Sequence, residues 1–170
     1  MAGIAAMIGA TSAEGAAPPS AQDIEAISHT LRFIDNIPQA GKLRIGIVCK
    51  PGDETADDVK KVADAVSGTP GPGATTLVPV PVAADRIQSA GDLDALLLMP
   101  GTEGFALDIV AEAGRRHLVT VATDADCLVR QTCVLWVQSE PHVAVTLDTA
   151  LAETLSVRVS PIFAMMVKRK

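Results

Sequence analysis

Leu43-Arg44-Ile45-Gly46-Ile47-Val48-Cys49 is an apolar run bounded by turn residues, with Gly41 before it and Pro51-Gly52 after it. Its length and branched side chains predict a strand buried on both faces. Beyond the turn, Val59, Val62 and Val66 recur at helical spacing, while Asp57, Asp58, Lys60 and Lys61 fall on the opposite side. A buried strand that feeds directly into an amphipathic helix opens a βαβ unit, and it implies a parallel sheet covered by helices.

The same rhythm extends in both directions. Upstream, Ile24, Ile27, Leu31 and Ile34 form one apolar stripe that starts at Ser20 and stops at Pro38. Downstream, a Gly/Pro-rich loop (67–73) leads to residues 75–82, where Pro79 and Pro81 predict an edge strand. A short helix (84–89), a buried strand (95–99) and a Pro100-Gly101 turn follow, then a helix to Arg116 with Thr102 as its expected N-cap. Residues 118–121 predict a fourth strand, 124–130 a short helix, and 133–138 and 142–147 a hairpin turned by Ser139-Glu140-Pro141. Two closing helices are expected, one capped by Asp148 and one begun by Ser160-Pro161. The expected class is a three-layer α/β sandwich, with a mostly parallel sheet of five to six strands and a C-terminal antiparallel hairpin.

The 170 residues, 48% of them hydrophobic, suffice for one domain, expected over 20–170. No apolar run approaches the roughly 20 residues of a membrane-spanning helix. Residues 1–19 read as a leader outside the fold. Their first thirteen residues carry no charged side chain, which fits either a secretory signal shortened by a late start codon or a disordered Ala/Gly tail. A net charge of −6, with basic residues scattered apart from Lys168, Arg169 and Lys170, argues against nucleic acid as a partner. Aromatic residues make up 2%, so stacking walls for bases, flavins or sugars are scarce.

The usual α/β chemistries lack their residues. Cys49-Lys50-Pro51-Gly52-Asp53 stands where a dinucleotide-binding glycine fingerprint belongs, and the loop 67–73 lacks the Lys and Ser/Thr of a phosphate loop. A phospho-receiver would carry its acceptor aspartate where Met99-Pro100 stands. There is no Gly-x-Ser-x-Gly elbow, and His29, His117 and His142 fall on a helix, at a strand start and in a turn. Asp124 and Asp126 could act as acid, base or metal ligand, with helix capping as the alternative. Zinc spacing is absent. No catalytic, metal or cofactor-binding residue is therefore assigned, and no cofactor is expected. Cys127 and Cys133 lie close enough to pair in an oxidising compartment, or else are two small core residues; Cys49 is expected to be buried.

Two segments resemble the YfiR-like family of small periplasmic regulatory proteins. Phe33-Ile34-Asp35-Asn36-Ile37-Pro38, followed by residues 43–48, stands where that family closes its opening helix before strand one, with Ile37 in place of a tryptophan. Leu118-Val119-Thr120-Val121-Ala122-Thr123-Asp124, then Thr146-Leu147 in place of Asn-Leu, then Ala150 and 160–166, match its C-terminal half. The resemblance implies one lobe of a periplasmic solute-binding fold and a homodimer. It also implies a non-catalytic regulator that restrains a membrane-bound signalling protein such as a diguanylate cyclase, with effects on cyclic di-GMP and biofilm formation. On that reading Phe33 and Trp136 are the expected partner-interface residues, with core packing as the alternative for each. A small-solute-binding protein is the second expectation, its ligand held near residues 50–54, 101–104 and 123–126. A cytosolic α/β enzyme is the third.

Overall fold

The computed structural model describes residues 16–170. Residues 1–15 of the expected leader lie outside the described part; of the rest, Pro19 is buried. Helix α1 (Ala21–Leu31) opens on a reciprocal capping box. The Ser20 hydroxyl accepts from the Asp23 amide at 3.1 Å, and the Asp23 carboxylate accepts from the Ser20 amide at 2.9 Å. The helix ends well before Pro38. Ile34 instead makes an antiparallel bridge with Val159, as Asp35 N donates to Arg158 O at 2.9 Å and Ser160 N donates to Phe33 O at 2.8 Å. Ile34 stays in the core, 1% exposed, because the bridge holds the same apolar stripe against the sheet.

Among the described residues, seven strands form one sheet in the order β2-β1-β3-β4-β5-β6-β7. They are β1 (Ala40–Cys49), β2 (Ala74–Ala83), β3 (Ala95–Leu98), β4 (Val119–Ala122), β5 (Leu135–Gln138), β6 (Ala144–Leu147) and β7 (Lys168–Arg169). Strands β1 to β5 are parallel, β6 returns antiparallel to β5, and β7 runs parallel to β6. The sheet thus exceeds the expected five to six strands, and the hairpin is not its last element. Lys168 and Arg169 pair with Thr146 and Leu147, and Lys170 N donates to Leu147 O at 3.0 Å. A two-residue strand has no periodicity to betray it. Strand β2 pairs only with β1, so Pro79 and Pro81 sit on an edge as expected.

Helices α2 (Asp57–Gly68), α3 (Ala106–Arg116), α4 (Asp126–Arg130), α5 (Thr149–Thr154) and α6 (Pro161–Met166) complete the fold. Residues 84–89 form a 3-10 helix, and a second one, Glu103–Phe105, precedes α3. Thr102 stands at the N-cap of that 3-10 turn rather than of α3, and its hydroxyl makes no capping bond but donates back to Met99 O at 2.9 Å. Ser160 makes no capping bond either, although Pro161 takes the first helical position. Asp148 does cap α5, accepting from Leu151 N at 2.9 Å. Helices α1 and α2 pack together on one face of the sheet, and α3 packs with residues 84–89. Right-handed crossovers place this second pair on the opposite face.

Every residue of β3 and β4 is buried, as are residues 45–49 of β1. Leu96, fully buried on β3, is expected to cost about 3 kcal/mol when replaced by alanine, read from the shift of the urea midpoint. A loss under about 1 kcal/mol would contradict close packing there.

Helix α3 buries one acid. Glu112 is 4% exposed, accepts from Arg115 Nε at 3.0 Å and lies 3.6 Å from Arg116 Nη1. The hydrogen bond from Arg115 holds its carboxyl below the ordinary glutamate range against the opposing effect of burial, and the charges of Arg115 and Arg116 add to it. Arg116 also donates to Ala90 O and Gly91 O, which fastens the loop before β3 to α3. A carboxylate with a lowered folded-state pKa contributes stability above its unfolded value, near 4.3, and that contribution fades as pH falls through the folded value. Glu112→Gln is expected to lower the urea midpoint at pH 7 and to flatten its decline below pH 5, leaving the two proteins closer at pH 3.

Candidate functional site

In a sheet of this order the connections diverge between β1 and β3, and the loops after those strands flank the natural ligand crevice. Gly101, at a φ of +92° that glycine adopts freely, turns the chain after β3 so closely that a Cβ there would lie 3.8 Å from Lys50 Cβ. Beside this contact, Met99, Thr102, Glu103, Asp124, Asp126 and Cys127 surround a cavity of about 30 Å³. That is room for a water molecule, not a solute. Segments 100–104 and 123–126 line this cavity together, and none of residues 50–54 does. Asp124 is engaged locally, its Oδ1 accepting from Asp126 N at 3.0 Å.

The free thiol and the three histidines lie on separate elements. Cys49 is buried and donates to Val82 O at 3.5 Å; burial, with added repulsion from Glu54 and Asp53, pushes its thiol up to about 11. It is a protonated thiol at neutral pH, the wrong form for a nucleophile. His29 is exposed 3.9 Å from Glu25, His117 closes α3 in the left-handed conformation with Nδ1 3.3 Å from Leu155 O, and His142 lies exposed in the β5–β6 turn. Among the described residues no group of three or more His, Cys, Asp or Glu side chains is placed to hold a metal ion. No described helix is long and apolar enough to cross a membrane.

Cys127 on α4 and Cys133 ahead of β5 are joined as a disulfide, with Cα atoms 5.4 Å apart. Gln131, in the left-handed region at φ 56°, ends α4 between them, and Thr132 N donates to Cys127 O at 3.0 Å. Phe33 is half-buried and stacks on Phe163 of α6, with ring centroids 4.6 Å apart and planes 9° from parallel. Trp136, also half-buried, anchors its indole by donating from Nε1 to Thr123 O at 3.0 Å.

Trp136 lines an open depression of about 500 Å³ between the α1 N-terminus and the ends of β4 and β5, with Asp23, Asp124, Ser139 and Glu140 around it. Asp23 binds this joint together. Its Oδ1 accepts from Ser139 N at 3.0 Å and from Ser139 Oγ at 2.6 Å, while Oδ2 takes the Ser20 amide. Burial opposes its charge, but the hydrogen bonds from Ser139 and Ser20 outweigh burial and keep the carboxyl below its ordinary range. Ser20-x-x-Asp23 is a legible capping signal, yet the link to Ser139, 116 residues away, leaves no local trace.

Large apolar side chains are exposed elsewhere. Ile162, Met165 and Met166 stand out from α6, on the helix whose Phe163 holds Phe33. Leu107, 87% exposed, lies at an apolar groove of about 310 Å³ shared with Val110, Arg130, Ala150 and Leu151.

The chain is thus an α/β protein with a largely parallel mixed sheet and flanking helices, whose surface carries exposed apolar side chains and a tryptophan-lined depression. No family model matches it, and no curated protein matches it.

Thiol titration of the denatured, unreduced protein is expected to find one thiol per chain, that of Cys49, and three after reduction. Three before reduction would contradict the Cys127–Cys133 bond.

Proposed function

We propose that this chain is a non-catalytic regulatory protein that binds and restrains a membrane-anchored signalling enzyme such as a diguanylate cyclase. The observation that carries the docking part is the exposure of Ile162, Met165 and Met166 at 65–79% on the helix that stacks against Phe33. Phe33, half-buried, stacks on the buried Phe163 of that same helix. The YfiR-like pattern supplies the periplasmic location, an oxidising compartment in which a Cys127–Cys133 bond would persist. The YfiR-like sequence pattern at Phe33-Ile34-Asp35-Asn36-Ile37-Pro38 and at residues 118–124 supplies the class of partner and the homodimeric state. A second reading, a small-solute-binding protein, draws support from the depression of about 500 Å³ at Trp136.

The test is deletion of the gene followed by measurement of cyclic di-GMP and biofilm mass. A rise in both is expected, with restoration by the wild-type gene and weaker restoration by Ile162→Ser/Met165→Ser. Those side chains are exposed, so the variant should keep its unfolding midpoint. Phe33→Ala is expected to cost about 2 to 4 kcal/mol, because the ring is stacked within the protein. Unchanged cyclic di-GMP on deletion would overturn the cyclase partner. Full restoration by the double variant would remove α6 as the docking face.

A further inference from the structure

Two depressions share the Ser139–Glu140 rim at the end of β5. The first, about 500 Å³, is the one lined by Trp136, Asp23 and Asp124; the second, about 520 Å³, follows α1 and is lined by Glu25, Ala26, His29, Pro141 and Val143. Val143 is 63% exposed. The rim between them is held in place, because Asp23 accepts from both the amide and the hydroxyl of Ser139. Among the described residues no Lys or Arg lines either depression, while Asp23, Glu25, Asp124 and Glu140 do. His29 is the one basic side chain, and it faces Glu25 at 3.9 Å.

Aromatic surface beside carboxylates favours a planar cation, since guanidinium stacks on indole and donates in a fork to carboxylate. Two adjoining depressions with apolar side chains between the charges fit an extended chain better than one compact solute. The protein's own residues 1–15 do not supply that cation, because their one charged side chain is Glu14.

We propose that an extended segment of a partner protein, carrying arginine flanked by apolar side chains, docks across the Ser139–Glu140 rim. Its guanidinium sits at Trp136 between Asp124 and Glu140, and its apolar neighbours lie against Ala26, Pro141 and Val143. The proposal rests on the regulatory reading above and adds to the α6 face a second surface with its own partner chemistry.

Trp136 is the single tryptophan of the chain, so its fluorescence reports on this surface directly. The probe is the blocked pentapeptide Leu-Arg-Leu-Arg-Leu, titrated into the full-length protein at low ionic strength. A saturable change in emission is expected, absent with the Leu-Glu-Leu-Glu-Leu counterpart. Asp124→Asn combined with Glu140→Gln should weaken binding about tenfold or more, since a cation held between two carboxylates loses both. Asp57→Asn combined with Asp58→Asn makes the same charge change at the start of α2 and should alter binding by less than about twofold. Circular dichroism confirms that each variant is folded.

The proposal is overturned by an unsaturable response, by equal weakening in both double variants, or by free arginine amide binding as tightly as the peptide. The last outcome would make the depression a small-solute site. If peptide binding fails while gene deletion still raises cyclic di-GMP, the rim falls and the regulatory function stands. If the peptide binds as described and deletion changes nothing, the rim stands and the cyclase partner falls.

Discussion

Burial of the central strands on both faces is the constraint from which the rest of the architecture follows. Leu96, Leu97 and Ile47 have no side that tolerates water, so the sheet at β1, β3 and β4 must be covered twice. Parallel pairing then requires crossovers, and their handedness divides the helices between the faces. The charged side chains that face this cover are paired: Glu112 on α3 is enclosed by Arg115 and Arg116, and Arg116 reaches on to the loop before β3. Polar groups near the core therefore serve the packing of the layers. No buried side-chain nitrogen or oxygen among the described residues lacks a partner.

The two ends of the described chain are tied into this frame by short contacts that add no new layer. The Ile34–Val159 bridge and the Phe33–Phe163 stack join the exit of α1 to α6, and β7 closes over the last residues of β6. Asp23 fastens the other end of α1 to β5 through Ser139. These fastenings leave α6 with its outer apolar side chains unsheltered and leave a depression beside the Asp23 joint. Both candidate docking surfaces are thus consequences of how the ends of the chain are attached. At the ends of β3 and β4, where α/β proteins commonly hold ligands, the cavity is about 30 Å³.

The sequence by itself determined the α/β class, because apolar periodicity is a local property and buried strands such as residues 95–98 carry it openly. It also determined the edge position of β2, since proline cannot donate to a second neighbour, and it marked Asp148 as a cap and Cys127 and Cys133 as near enough to pair. The tertiary structure decided the rest. Residues 32–34 leave the helix although Ile34 keeps the stripe, because pairing with Val159 satisfies the backbone while leaving the side chain in the core. Lys168 and Arg169 form a strand because β6 offers them an open edge. Thr102 turns back to Met99 because a 3-10 turn comes first. Asp23 reaches Ser139 across 116 residues, and the surroundings of Trp136 follow from that contact. Such pairings depend on which strands and helices become neighbours, and neighbours distant in sequence leave no periodic trace in the chain.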